Sequence, residues 1–151
     1  MPRQKILDMS VDWLQVLDPE GNADKDLEPD LDKETLEKFY RTMMTTRMYD
    51  DKALKLQRQG RMLTYGSSLG QEATAVGSAF ALRPDDWFFP AFREHGVQIA
   101  RGIPMKLLYI YWMGSEDANL NLPPKNFPVA IPVATQMLHA VGAAWAAKIQ
   151  K

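Results

Sequence analysis

The sequence contains no cysteine among its 151 residues, which excludes disulfides, thiolate nucleophiles and cysteine-based zinc sites. That absence fits a reducing compartment. Only two histidines occur, His95 and His139, and such a pair, 44 residues apart, is a poor start for a transition-metal site. Neither sign of charge dominates. With 18 basic and 19 acidic residues the net charge is −1, so no long-range field favours nucleic acid or an anionic membrane. No basic stripe interrupts that balance. Apolar runs stay well short of the roughly 20 residues that span a bilayer. The start, Met-Pro-Arg-Gln-Lys followed by Ile-Leu-Asp, lacks a secretory core and has acids that organelle transit peptides avoid, so a cytoplasmic protein is expected. Ser67-Ser68 sits in no G-x-S-x-G elbow, and no Walker or Rossmann glycine loop is found.

What is present describes a soluble globular chain. Hydrophobic residues make up 46% and charged residues 25%, and the length suits one ordinary domain with a real core. Residues 1–31 are expected to form a peripheral arm. Between Asp18 and Glu34 eight acids face only two lysines, with Pro19, Gly21 and Pro29 as breakers, a composition that buries little and favours extended or mobile chain. Val11, Trp13, Leu14, Val16 and Leu17 precede it, either as a docking cluster or as a solvated arm with one anchoring tryptophan.

Residues 32–151 carry the main domain. Asp32 is placed to cap a helix running to Gln59, and Gly60 to end it. Leu36, Phe39, Tyr40, Met43 and Met44 form its apolar face at helical spacing, and Met43, Met44 and Met48 read as gap-filling core. Ser68 with Gln71 forms a capping box for a helix through Leu82, whose small residues permit close approach of another backbone. Trp87-Phe-Phe is expected in a strand or extended piece. A short helix is expected after Arg93, and another from Pro104 to Met113. Residues 114–126 read as loop, 127–133 as extended chain, and 135–148 as an alanine-rich helix. An α/β arrangement would place a strand after that helix.

Arg93 is the first candidate for chemistry. It follows Phe-Pro-Ala-Phe, a buried-type segment, and a charge there needs a partner. A diphosphate would supply one through charge-assisted hydrogen bonds. A carboxylate from Glu94, Asp85 or Asp86 would serve equally well. His95 and His139 both read as structural.

Three blocks occur in order: Gly70-Gln-Glu-Ala73, the Asp85-Asp86 pair, and Phe92-Arg93. They are followed by Ala130-Ile-Pro-Val-Ala-Thr-Gln136 and Ala140-Val-Gly-Ala-Ala-Trp-Ala-Ala-Lys148. Together they resemble the alpha subunit of the thiamine-diphosphate-dependent decarboxylase component of 2-oxo acid dehydrogenase complexes. The resemblance covers about residues 31–148 and implies an α/β fold, of which this chain would be the helix-rich, incomplete N-terminal part.

It implies that Arg93 grips the cofactor diphosphate beside Phe92, where the family usually has tyrosine. It also implies that Ile131 and Val133 lie against the aminopyrimidine ring, with Val133 helping to hold the cofactor bent. That bend makes proton removal from the thiazolium effectively intramolecular. Pro132, Thr135 and Gln136 match a potassium loop of branched-chain members, with Ala130 in place of a serine; Thr135 as a helix N-cap competes with that reading.

The family's magnesium motif would begin shortly after Lys151, so the magnesium ligands are expected outside this chain, and no catalytic residue is assigned within it. The family works as a heterotetramer with a beta subunit, decarboxylating pyruvate or a branched-chain 2-oxo acid and passing the acyl group to a lipoyl-bearing acyltransferase. These 151 residues alone are expected to be inactive. The alternative is a truncated, non-catalytic paralogue serving as a subunit-interaction module.

Overall fold

The structure, a computed structural model, describes residue 5 and residues 7–150. It divides into two units, Met1–Lys33 and Glu34–Lys151.

The first unit holds a tight reversal built on Asp18. Its carboxylate accepts the Asn22 backbone N–H at 2.7 Å and the Asn22 amide at 2.9 Å. Gly21 supplies the positive φ of 88° that the turn requires, and Leu17 and Ala23 close an antiparallel bridge. Part of the acidic stretch expected to be extended is therefore a folded turn, because Asp and Asn side chains mimic backbone acceptors and donors. Trp13 is 87% exposed.

The second unit is helix-rich: α1 (Lys33–Arg58), α2 (Glu72–Ala81), α3 (His95–Ala100), α4 (Met105–Trp112), α5 (Asp117–Leu120) and α6 (Thr135–Ile149). Extended pairing among the described residues is confined to isolated bridges. In this unit Phe88 and Asn126 pair in parallel, and the Phe127 N–H donates to the Phe88 carbonyl at 2.8 Å. Among the described residues no helix is long and apolar enough to cross a membrane.

Helix α1 ends as its sequence dictates. Gly60, at φ 71°, turns the chain left-handed. Its N–H reaches the Gln57 carbonyl at 2.9 Å, and the Arg61 N–H reaches Leu56 at 3.0 Å, the paired bonds of a Schellman stop. The buried face of α1 differs from expectation. It comprises Thr46, Tyr49, Asp50, Ala53 and Leu56, whereas Leu36, Tyr40, Met44 and Met48 are exposed. The α1 methionines are thus not core filling: Met43 is half-buried, Met44 and Met48 are exposed, and the methionine in the core is Met62 beyond the helix. The core instead centres on Tyr49, Leu56, Tyr65, Ile103, Leu108 and Trp112, a set rich in aromatics with large buried areas and specific ring contacts.

A second cluster joins α2 to α3 through Ala75, Ala79 and Val97. Close approach there depends on Gly96, where a Cβ would sit 2.8 Å from the Ala75 Cβ and 3.4 Å from Thr46. Helix α2 begins at Glu72, with Gln71 as an N-cap that makes no side-chain cap bond. Ser68 does not cap it, because its hydroxyl turns to Asp50. The Glu72 carboxylate instead pairs with Arg47 of α1 at 2.5 Å. That hydrogen bond holds the Glu72 carboxyl down at about 2.

Gly96→Ala is expected to destabilise the protein by about 1–3 kcal/mol through overpacking between α1, α2 and α3. Urea unfolding of the variant would measure it, and an unchanged midpoint would contradict the close-contact account.

Candidate functional site

The site grows from a buried carboxylate on α1. Asp50 is fully buried, and an unpaired charge there would be costly. Four donors satisfy it. Tyr65 Oη and the Ser68 N–H donate to Oδ1 at 2.7 and 2.8 Å, Ser68 Oγ donates to Oδ1 at 3.3 Å, and Ser67 Oγ donates to Oδ2 at 2.6 Å. Burial pushes the Asp50 carboxyl up, but the hydrogen bonds from Ser67, Ser68 and Tyr65 outweigh it, leaving it below the usual range. The segment 65–68 is thereby fastened to α1.

His95 opens α3 behind this cluster. Trp112 Nε1–H donates to His95 Nε2 at 3.1 Å, so the ring proton of the neutral imidazole is on Nδ1, which faces Tyr65 Oη at 3.5 Å. Burial lowers the His95 pKa to about 4, with the Arg93 charge adding to the fall and Asp50 opposing it. The structural role expected for His95 matches this buried, hydrogen-bonded placement.

Arg93 sits in the turn before α3, and its side chain is exposed. Its guanidinium donates to the carbonyl of Ser67. None of the carboxylates that compete for it in the sequence pairs with it. Glu94 accepts the Arg93 backbone N–H at 3.2 Å, and Asp86 is engaged by Arg83 at 2.9 Å. Among the described residues Arg93 has no ion pair within 4 Å.

Arg93 lines an opening of about 740 Å³ together with Tyr65, Gly66, Phe92, Tyr111 and Ile131; Glu116 adds one carboxylate to its wall. A Cβ at Gly66 would lie 2.9 Å from Phe92 Cδ2, so glycine allows the loop to seat against that ring. A separate cavity of about 460 Å³ is lined by Lys38, Phe80, Arg83 and Arg101. Its cations are otherwise engaged: Arg83 by Asp86, Arg101 by Asn126 and the Asp86 carbonyl, and Lys38 over the Phe80 ring.

The residues singled out in the sequence thus separate. Phe92, Arg93 and Ile131 share one opening. Val133 is 82% exposed and does not line it. Farther along, the Thr135 N–H donates to the Pro132 carbonyl at 3.2 Å. Ala134, at φ 70°, occupies the N-cap of α6, so Thr135 is the first helical residue and not the cap. The Gln136 Oε1 is buried and accepts no hydrogen bond.

Comparison with known proteins decides the kinship. A family model described as the dehydrogenase E1 component matches residues 40–151. The chain belongs to the dehydrogenase E1 component family. A 3-methyl-2-oxobutanoate dehydrogenase subunit alpha of Mycobacterium tuberculosis is 39% identical over 97% of this chain and 41% of its own length. A pyruvate dehydrogenase E1 component subunit alpha of Acholeplasma laidlawii is 43% identical over 83% of this chain and 36% of its own. A mitochondrial 2-oxoisovalerate dehydrogenase subunit alpha of Caenorhabditis elegans is 36% identical over 85% of this chain and 32% of its own. The chain therefore spans between about a third and two fifths of the length of these curated relatives. The E1 match contains Asp50, the 65–68 loop and Arg93, while the Asp18 turn precedes it.

Within this E1 chain Asp50, Tyr65, Ser67 and Trp112 escape a reading based on motifs. For Asp50 the available signal is the stretch Thr45–Asp51 in mid-helix, where the hydrophobic pattern loosens and the buried face lies.

His95 gives the site a pH signature. Its folded pKa of about 4 lies below its ordinary 6.5, so the unfolded chain takes up the proton first as pH falls. The stabilisation is complete above about 6.5 and drains away toward 4. Stability is expected to drop by roughly 2 kcal/mol between pH 7 and pH 5 from this group. Urea unfolding at the two pH values checks it. His95→Gln should lose that component, and an equal drop in the variant would count against the assignment.

Proposed function

We propose that this chain forms the diphosphate-holding part of a 2-oxo acid dehydrogenase alpha subunit, acting on pyruvate or a branched-chain 2-oxo acid. The observation that carries this reading is Arg93. It is a cation with no carboxylate partner among the described residues, set on the wall of the 740 Å³ opening that Phe92 and Ile131 also line. One N–H is placed on the Ser67 carbonyl, and the planar guanidinium has further donors suited to paired phosphate oxygens.

The residues present fit thiamine diphosphate. Arg93 would hold the diphosphate, Phe92 would wall it, and Ile131 would offer an apolar surface to the aminopyrimidine, while Val133, outside the opening, takes no part in that surface. When bound, the thiazolium supplies a nucleophilic carbon and an electron sink for decarboxylation. The chain's own work is binding: Tyr65, Phe92, Tyr111 and Ile131 border the opening with ring and aliphatic carbon, beside an arginine whose charge stays open to an incoming anion. His95, neutral above its pKa of about 4, adds no competing positive charge behind the arginine at neutral pH.

Magnesium, which a diphosphate needs for charge balance, is assigned to ligands other than the residues named here. The buried, unbonded Oε1 of Gln136 supports the potassium reading of Pro132, Thr135 and Gln136, because a monovalent cation would satisfy an oxygen that no donor reaches. The relatives, which include both branched-chain and pyruvate dehydrogenase alpha subunits, support the substrate class. A beta subunit and a lipoyl-bearing acyltransferase are the partners this reading requires. The exposed apolar residues of α6, Met137, Leu138, Val141 and Trp145, support contact with another surface.

The test is pyrophosphate binding in magnesium buffer, followed by calorimetry. Arg93→Ala is expected to weaken it about 10- to 100-fold, the range of hydrogen bonds to charged groups, with Arg93→Lys intermediate. Equal affinity in the wild type and Arg93→Ala, or no binding by the wild type, would sink the proposal.

A further inference from the structure

We infer that Ser67 is the positioning residue for Arg93, an elbow that transmits the rigidity of the buried Asp50 to the guanidinium. This rests on the proposed diphosphate role of Arg93. The two ends of Ser67 do different work. Its hydroxyl donates to Asp50 Oδ2 at 2.6 Å and accepts the Leu69 N–H at 3.2 Å, while its carbonyl receives the Arg93 guanidinium.

The side chain therefore fixes the peptide plane whose oxygen aims the arginine. Asp50 makes a suitable anchor because it is fully buried on α1, within a 26-residue helix, and is held by four donors. A carboxylate so placed has no low-energy alternative position, since turning it would strand those donors.

The arrangement also explains why Arg93 stays available. An arginine on a flexible stem next to Glu94 would ordinarily collapse onto it. Here Glu94 bends back to the Arg93 backbone N–H, and the guanidinium is held by a neutral carbonyl instead. A carbonyl fixes the direction of the side chain without neutralising its charge. An incoming anion then meets a preoriented cation and loses less conformational freedom on binding. The hydroxyl at position 67 reaches Oδ2 from the loop while the carbonyl of the same residue faces the guanidinium.

Ser67→Thr and Ser67→Val form the test pair, because both are β-branched and of similar shape, and only threonine keeps the hydroxyl. Pyrophosphate affinity in magnesium buffer is expected to stay within about twofold of wild type for Ser67→Thr. It should fall about 3- to 10-fold for Ser67→Val, for a partial loss of preorganisation. In an Arg93→Ala background the two should bind alike, because the elbow acts only through the arginine.

Equal affinities of the pair with Arg93 present would overturn the positioning role. So would a Thr–Val difference that persists without Arg93. If Arg93→Ala itself binds pyrophosphate as wild type does, the diphosphate reading fails. If Arg93→Ala is weak and the Thr–Val pair is equal, only the role of Ser67 fails.

Discussion

A single buried carboxylate organises the centre of this protein. Asp50 lies on the inner face of α1 without solvent, and its charge is tolerable only because four donors converge on it. Each donor belongs to the short stretch after α1, so satisfying the charge also settles the path of residues 65–68. Tyr65 extends the network to His95 of α3, and His95 extends it to Trp112 of α4. Three helices and a loop are thereby connected through one polar chain embedded among aromatic rings, with Tyr65 and His95 stacked at 5.2 Å and Tyr65 edge-on to Trp112 at 5.2 Å. Buried polar networks of this kind specify one arrangement, because partial satisfaction is worse than none.

Local signals in the sequence located most elements, although the stretch 114–126 read as loop holds the short helix α5. Gly60 marks a Schellman stop, Pro104 precedes α4, and the alanine-rich stretch from Thr135 is α6. These features depend on backbone chemistry that neighbouring residues determine. The inward face of α1 was not legible in the same way. Leu36, Tyr40, Met44 and Met48 have helical spacing and still point outward, while Thr46 and Asp50 are buried. Hydrophobic periodicity assumes that buried means apolar. A threonine bonded to its own helix carbonyl at 2.9 Å and an aspartate with four donors both break that assumption. Ser68 shows the same limit: its capping-box pattern is intact, but a nearby carboxylate outcompetes the helix end.

The candidate site was partly legible for a comparable reason. Arg93 stands out because ordered motifs surround it, and Phe92 and Ile131 join it at one opening. That no carboxylate among the described residues pairs with it was not readable, since Glu94 and Asp86 are close enough in sequence to claim it. What decides the matter is where those acids go. Asp86 closes a turn with Arg83, accepting its backbone N–H at 2.9 Å as well as its guanidinium, and Glu94 caps its neighbour's amide. Ser67 carries no motif signal whatever, because its value lies in the three-dimensional pairing of a hydroxyl with Asp50 and a carbonyl with Arg93.

Helix α6 spans 15 residues without burying one of them. Such a segment draws its cohesion from alanine-rich backbone more than from packing. A surface that covers Met137, Val141 and Trp145 would supply the packing that this helix lacks, tying the strength of such an association to the helical propensity of the segment.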